Sequence, residues 1–589
     1  MFDLKITGGT VVDGTGADRF TADIGIRDGR IIEVRRRGPD DPPLEGEAAE
    51  TIDATGKVVA PGFVDIHTHY DGQATWEGRL SPSSQHGVTT VVTGNCGIGF
   101  APCRAEDRQR LVHLMEGVED LPEPVLTAGL PWQWQSFPDY LDFLDGRRFD
   151  ADIVTQVPHA ALRVFVMGER AVRREPATAA DRARMAELVA EGVAAGAAGF
   201  ATSRTINHRS SDGTQIPTLD AAEEELAAIA DALAGQGRGV LQLVSDLDDV
   251  EAELAMIRRL VERSGRPLSI SLMQWHSAPD KWRVVLEWLE RCRAAGLPVT
   301  GQVMGRPVGM LLGFELSCNP FSFTPTFKSL AALPPEERRA RLRDPDVRRR
   351  IISEKPDASG HMAANHIRSF GHIFALGTVP SYEPDPDDHM VARAARKGTT
   401  PEAEAYDAML ENDGRGILML PSVNFADGTL EAAREMLAHP HTVFGLGDGG
   451  AHLGFLCDAS FPTHMLHYWA RDRVKGPRLP LAQVVAGLTS RPAAAVGLAD
   501  RGLLRAGYKA DVNVIDFDRL SLRAPHVAYD LPAGGRRVTQ DAAGYVATLV
   551  SGVATQRNDR PTGARPGRLV RSGRVGARAA AQDGGRRGG

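Results

Sequence analysis

Residues 60–72 read "APGFVDIHTHYDG", an apolar run that breaks into two histidines one residue apart. Side chains alternate along a β-strand, so His67 and His69 leave the chain on one face, and Asp65 shares it. Two imidazoles converging from one strand face can hold a metal ion. A His-x-His pair alone is equally compatible with a hydrogen-bonded core feature, so the context decides. "KVVAPGFVD" is short, apolar and led by the turn "DATG", the pattern of a strand entering a buried barrel. The histidines then stand at its C-terminal end, where barrel enzymes place their chemistry.

Outward from this stretch, apolar strands alternate with helical patterns, the mark of βα units. Strands are expected at 61–67, 88–94, 152–158, 197–203, 239–245, 267–273, 297–303 and 441–447, which predicts an α/β fold, a (β/α)8 TIM barrel over residues 59–489. The interval 305–437 is too long for a loop and carries the basic, helical "PPEERRARLRDPDVRRRIISE". An inserted subdomain is expected there, after strand seven. Residues 1–58 read as an antiparallel unit of short strands separated by Gly and Asp turns, and 490–570 has the same character. The two ends are expected to form one composite β-sandwich domain. The tail 571–589, "RSGRVGARAAAQDGGRRGG", is low in complexity and expected to be disordered.

A formal net charge of -8 over 589 residues gives no electrostatic case for nucleic acid. No stretch reaches the apolar length of a membrane span, and "MFDLKITGGTVVDGTG" does not read as a signal peptide. The five cysteines are odd in number and widely spaced, which argues against a disulfide framework and for a reducing, cytoplasmic setting.

Strand two ends in "VVTGNCGIG", with Cys96 at the expected rim. A lone cysteine is by default a small buried hydrophobe, but a thiolate here can bind or bridge zinc beside His67 and His69. The last strand ends in "GLGDGGAHLG", with Asp448 at the rim and His452 just beyond. A carboxylate in that place can bind metal or exchange protons with a water and a leaving group.

The stretches "APGFVDIHTHYDG" (60–72), "GVTTVVTGNCGIG" (87–99), "GVEDLPE" (117–123), "GLGDGGAH" (445–452) and "LTSRPAAAVGLADRGLLRAGYKADVNVID" (488–516) together resemble the metal-dependent amidohydrolase superfamily, and within it the N-acyl-D-amino-acid deacylases (D-aminoacylases). "TGARPGRLVR" at 562–571 is similar to that family's ending, so the resemblance covers nearly the whole chain. It implies a zinc-dependent enzyme acting on a small N-acylated substrate, cleaving a linear amide to a carboxylate and a free amino acid. By the same resemblance His67 and His69 are metal ligands, Cys96 replaces the carboxylated lysine of many relatives, and Asp448 is the catalytic carboxylate and a metal contact. None of the eight lysines falls in strands three or four, in keeping with that replacement.

Two departures stand out. The family carries histidine ligands on strands five and six, whereas this chain offers Gln242 and Ser245 on strand five, then Leu272 with His276 displaced beyond it. An amide oxygen is a poor substitute for imidazole on zinc. One tightly bound zinc ion is therefore expected, with a second position left open, His276 as a candidate ligand and Gln242 as a candidate substrate contact. Arg204 and His208 in "FATSRTINHR", Arg306 in "GQVMGRP", and His452 are further rim candidates, the arginines for pairing with a substrate carboxylate. Glu116, Glu119 and Asp120 in "MEGVEDLPE" would shape the pocket floor. The nearest rival reading is a cyclic amide or imide hydrolase of the same superfamily. A non-catalytic binding protein on a decayed scaffold is the rival of another class, against which the unimpaired His67, His69, Cys96 and Asp448 argue.

Overall fold

A computed structural model describes residues 1–38, 40–357 and 363–573. The disorder expected of the tail concerns residues outside these from 574 onward. Arg571 and Ser572, counted with that tail, instead bond the carbonyls of Ala195 and Gly196 at 3.0 and 2.9 Å.

Eight parallel barrel strands follow one another: Phe63–Asp65, Val88–Thr93, Asp152–Thr155 continued by Val157–Pro158, Gly199–Arg204, Val240–Ser245, Leu268–Ser271, Val299–Val303 and Thr442–Phe444. Each lies where the apolar runs predict it. Val88–Thr93, "VTTVVT", is buried at every residue, as a parallel strand covered on both faces must be. The ring closes where the extensions of strands one and eight meet in a parallel bridge, Thr68 to Gly449. This closure sets the residues after strand eight beside those after strand one.

The chain ends build a nine-stranded sheet in which Val58–Pro61 pairs antiparallel with Val512–Ile515. Its apolar face gathers Leu4, Ile6, Ile24, Val512, Val514 and Leu549. The N-terminal part is the antiparallel unit its turns suggest only over Phe2–Val11, Phe20–Arg27 and Arg30–Arg36. Ala48–Asp53 and Val58–Pro61 both run parallel to Phe2–Val11, because the chain crosses over before returning to the sheet.

Between strands seven and eight, Val308–Leu312, Leu418–Val423 and Phe374–Ala375 make a three-stranded antiparallel sheet. Helices including Pro335–Leu342, Pro345–Ser353 and Pro401–Gly414 pack with it around a separate core of Phe314, Phe321, Ile351, Tyr406 and Leu420. This subdomain is tied to the rim, since Asn424 N donates to Gln274 O at 2.8 Å and Gln274 N to Asn424 Oδ1 at 2.9 Å. No helix among the described residues is long and apolar enough to cross a membrane.

Candidate metal centre

Beyond Asp65 the first strand runs on as Ile66-His67-Thr68-His69, sewn to the segment after strand eight. Asp448 N donates to His67 O at 3.0 Å, and His69 N donates to Gly449 O at 2.7 Å. The Asp448 carboxylate is thereby set over the histidines, with Oδ1 3.4 Å from Nε2 of His67 and 3.6 Å from Nε2 of His69.

Cys96 arrives from strand two through a forced turn. Gly94 has φ +80°, and a Cβ there would collide with the backbone oxygen of Gln156, so only glycine passes. The Asn95 amide then donates to Val92 O at 2.8 Å and Thr68 O at 3.2 Å, bracing the turn against the His-x-His segment. Cys96 Sγ ends 3.3 Å from His67 Nε2. Cys96, Asp448 and His452 all hold left-handed backbone, with φ of 56°, 45° and 50°. Such strain in non-glycine residues gathers at functional sites.

His67, His69 and Cys96 are all buried, and one donor atom from each lies within 4.8 Å of the other two. Both histidines aim Nε2 inward and Nδ1 outward. His67 Nδ1 donates to Gln302 Oε1 at 2.8 Å, and Gln302 is held by donating to Ser269 Oγ at 2.8 Å. His69 Nδ1 lies 3.3 Å from Glu119 Oε1, whose second oxygen is 3.6 Å from His452 Nε2.

Burial brings His67 down to about 4 and keeps it neutral. Burial works the same way on His69, but the Glu119 charge, with Asp448 and Cys96 close beside it, lifts it well above the usual imidazole range. For Asp448 burial is again overcome, by His69 close beside it and the other imidazole charges around it, so the carboxylate stays ionised well below its ordinary range. Burial pushes the Cys96 thiol up to about 11 and Asp65 up to about 8.

His69 Nδ1, Glu119 Oε1, Asp65 Oδ2 and Gln242 Nε2 are buried without a hydrogen bond that meets normal geometry. Two imidazole nitrogens and a thiol converging under a carboxylate are the donor set that a zinc-type cation takes. The residues fit such an ion.

Other sequence candidates lie elsewhere. His276 does not join the cluster; it is exposed, and its ring packs 5.8 Å from that of His372. The short sixth strand ends at Ser271, so His276 falls on a loop leading away toward the inserted subdomain. Arg204 is taken up by Glu253 at 2.9 Å. Arg306 is 1% exposed and spends its donors on Asp458 and Ser460, each at 2.9 Å. Neither arginine is left for a substrate carboxylate. Gln242 turns Oε1 to the Cys96 N–H at 2.9 Å, supporting the thiol's turn. His452 is in place through Glu119.

Glu119 and Gln302 were the partners hardest to foresee. Glu119 is expected at the pocket floor, from the acidic pair at the end of the helix Arg108–Glu119, but without its histidine partners, and Gln302 carries no signal. His208 also belongs to this neighbourhood: its Nδ1 is 2.9 Å from Ser203 Oγ, and burial, with the charges of His452 and His69, brings it down to about 3.

A family model described as the amidohydrolase family matches residues 50–556. The chain is 28% identical over 585 residues to the D-aminoacylase of Alcaligenes xylosoxydans xylosoxydans, covering 97% of each protein. A solved D-aminoacylase, characterised for its binuclear metal centre with one-metal activation and second-metal attenuation, is similar with TM-score 0.64 and 25% identity, covering 97% of this chain and 100% of that one. The N-acyl-D-glutamate deacylase of Bordetella bronchiseptica, solved with zinc and a phosphonate mimic of the tetrahedral intermediate, shares the fold with TM-score 0.61 and 24% identity over 97% of this chain and 100% of its own. The chain belongs to the amidohydrolase family, in its D-aminoacylase-like branch.

Proposed function

We propose that this protein hydrolyses the linear amide bond of N-acyl-D-amino acids, giving a carboxylate and a free amino acid, with the barrel of residues 59–489 as the catalytic unit. The observation that carries the reading is the convergence of His67, His69 and Cys96 under the Asp448 carboxylate. The full-length likeness to D-aminoacylase supports the substrate class.

His67 and His69 through Nε2, Cys96 through Sγ and Asp448 through Oδ1 would hold one zinc ion. Bound there, zinc supplies Lewis acidity that polarises an amide carbonyl and eases ionisation of a water. The Asp448 carboxylate, through the oxygen not given to the metal, takes the proton of the attacking water and delivers it to the departing nitrogen; it is ionised, as a proton acceptor must be. His67, neutral and fixed through Gln302, presents a lone pair at Nε2. Gln242 on strand five and Leu272 just past the end of strand six bring no imidazole, so a second ion is held weakly. The five cysteines, all free, suit a reducing compartment such as the cytoplasm.

Metal analysis combined with a panel of N-acylated D- and L-amino acids tests the proposal. Zinc in the protein and turnover confined to D-substrates is the expected result. Turnover of hydantoins or dihydropyrimidines with none of N-acyl amino acids replaces it with cyclic amide hydrolysis, and metal binding without any turnover replaces it with a binding role.

A further inference from the structure

We propose that Glu119 is the positioning residue of this metal centre, orienting His69 through Nδ1 and His452 through Nε2. The inference rests on the metal-dependent reading above. His67 and His69 present Nε2 to the same Asp448 oxygen and turn Nδ1 to an outer partner, but the partners differ. Behind His67 stands a neutral amide, Gln302; behind His69 stands a carboxylate.

The cost of that carboxylate shows that its place is specific. The Glu119 side chain is 2% exposed, and among the described residues no lysine or arginine pairs with it. It is also the last residue of the helix Arg108–Glu119, where the negative end of the dipole disfavours an anion. Its recorded partners are the two imidazoles, at 3.3 and 3.6 Å. The backbone holds it there from several sides. Asp120 adopts φ 50° and accepts from Gly454 N at 2.8 Å and Ser317 Oγ at 3.0 Å, while Glu119 O accepts from His452 N.

A carboxylate on Nδ1 fixes a metal-binding histidine in the Nδ1–H tautomer, leaves the Nε2 lone pair for the metal and strengthens it as a donor. Through its other oxygen Glu119 ties this ligand to His452, so the metal centre and the loop after strand eight share one anchor.

Glu119→Gln keeps the shape and removes the charge. Zinc affinity of the folded variant, read by chelator competition, should weaken about 10–100-fold, and Glu119→Asp should recover part of the affinity. Zinc affinity in Glu119→Gln within about twofold of wild type overturns the inference. Should the buried substitution prevent folding, a crystal structure of the zinc-loaded wild type decides. His69 bound through Nε2 with Nδ1 on Glu119 supports the inference, whereas ligation through Nδ1, or by Glu119 itself, overturns it. A wild type that takes up no zinc refutes the metal-dependent reading, and the inference with it.

Discussion

The Asp448 N–H donates to the His67 carbonyl at 3.0 Å, and the Asp448 carboxylate stands 3.4 Å from Nε2 of that same histidine. The first and last barrel strands thus fix a carboxylate over an imidazole by backbone bonds that no side-chain substitution removes. Asp448→Asn should therefore keep the fold and lose proton transfer, lowering kcat by about 10²–10⁴. Turnover with circular dichroism checks this, and a variant within a few-fold of wild type would exclude Asp448 as the proton carrier.

The double variant His67→Ala, His69→Ala removes two of three clustered donors and should leave the protein folded and without bound zinc after dialysis. Wild-type metal content in a folded double variant would show that the ion sits elsewhere.

Gln242 has its carbonyl oxygen on the Cys96 N–H, and Leu272 is buried and apolar, so strands five and six contribute no strong ligand. One zinc ion per chain should survive exhaustive dialysis. Elemental analysis returning two would mean that other donors complete a second site.

Arg306 is buried against Asp458, with its guanidinium 4.2 Å from the Tyr382 ring. Arg306→Met would strand the Asp458 charge, and losing one member of a buried pair costs about 3–5 kcal/mol. Denaturation should show that loss, with KM unchanged in the fraction that stays folded. A large rise in KM at full stability would restore the substrate role first considered for this arginine.

His86 has both ring nitrogens occupied as the neutral form, by Thr463 Oγ1 and Gln540 O, each at 2.8 Å, and burial lowers it from 6.5 to about 3. Below pH 6.5 the unfolded chain takes up a proton that the folded one refuses. This group therefore removes stability as pH falls from about 6.5 toward 3, by about 1.4 kcal/mol per pH unit. His86→Gln should flatten the acid limb of the stability profile relative to wild type; parallel limbs, followed by thermal melts across this range, would contradict the assignment.

The eight barrel strands and the pairing of His67 with His69 were legible because both follow local rules: runs of apolar residues mark buried strands, and a period of two puts alternate residues on one face. Cys96 and Asp448 were legible as strand-end residues, since a parallel barrel carries all such ends to one rim. What each side chain meets at that rim depends on residues far off in the sequence, from 49 positions for Arg204 and Glu253 to 235 for His67 and Gln302. Arg204 and Arg306 read as unspent cations until Glu253 and Asp458 arrive beside them, and His276, close to strand six in sequence, is drawn away by a loop tied to the inserted subdomain. Gln302 behind His67 and Glu119 behind His69 come from strand seven and from a helix after strand two. Local sequence sets which residues reach the rim, because periodicity acts over a few residues. Only closure of the barrel decides which charges are neutralised and which donors stay exposed to a metal, because those pairings form through space.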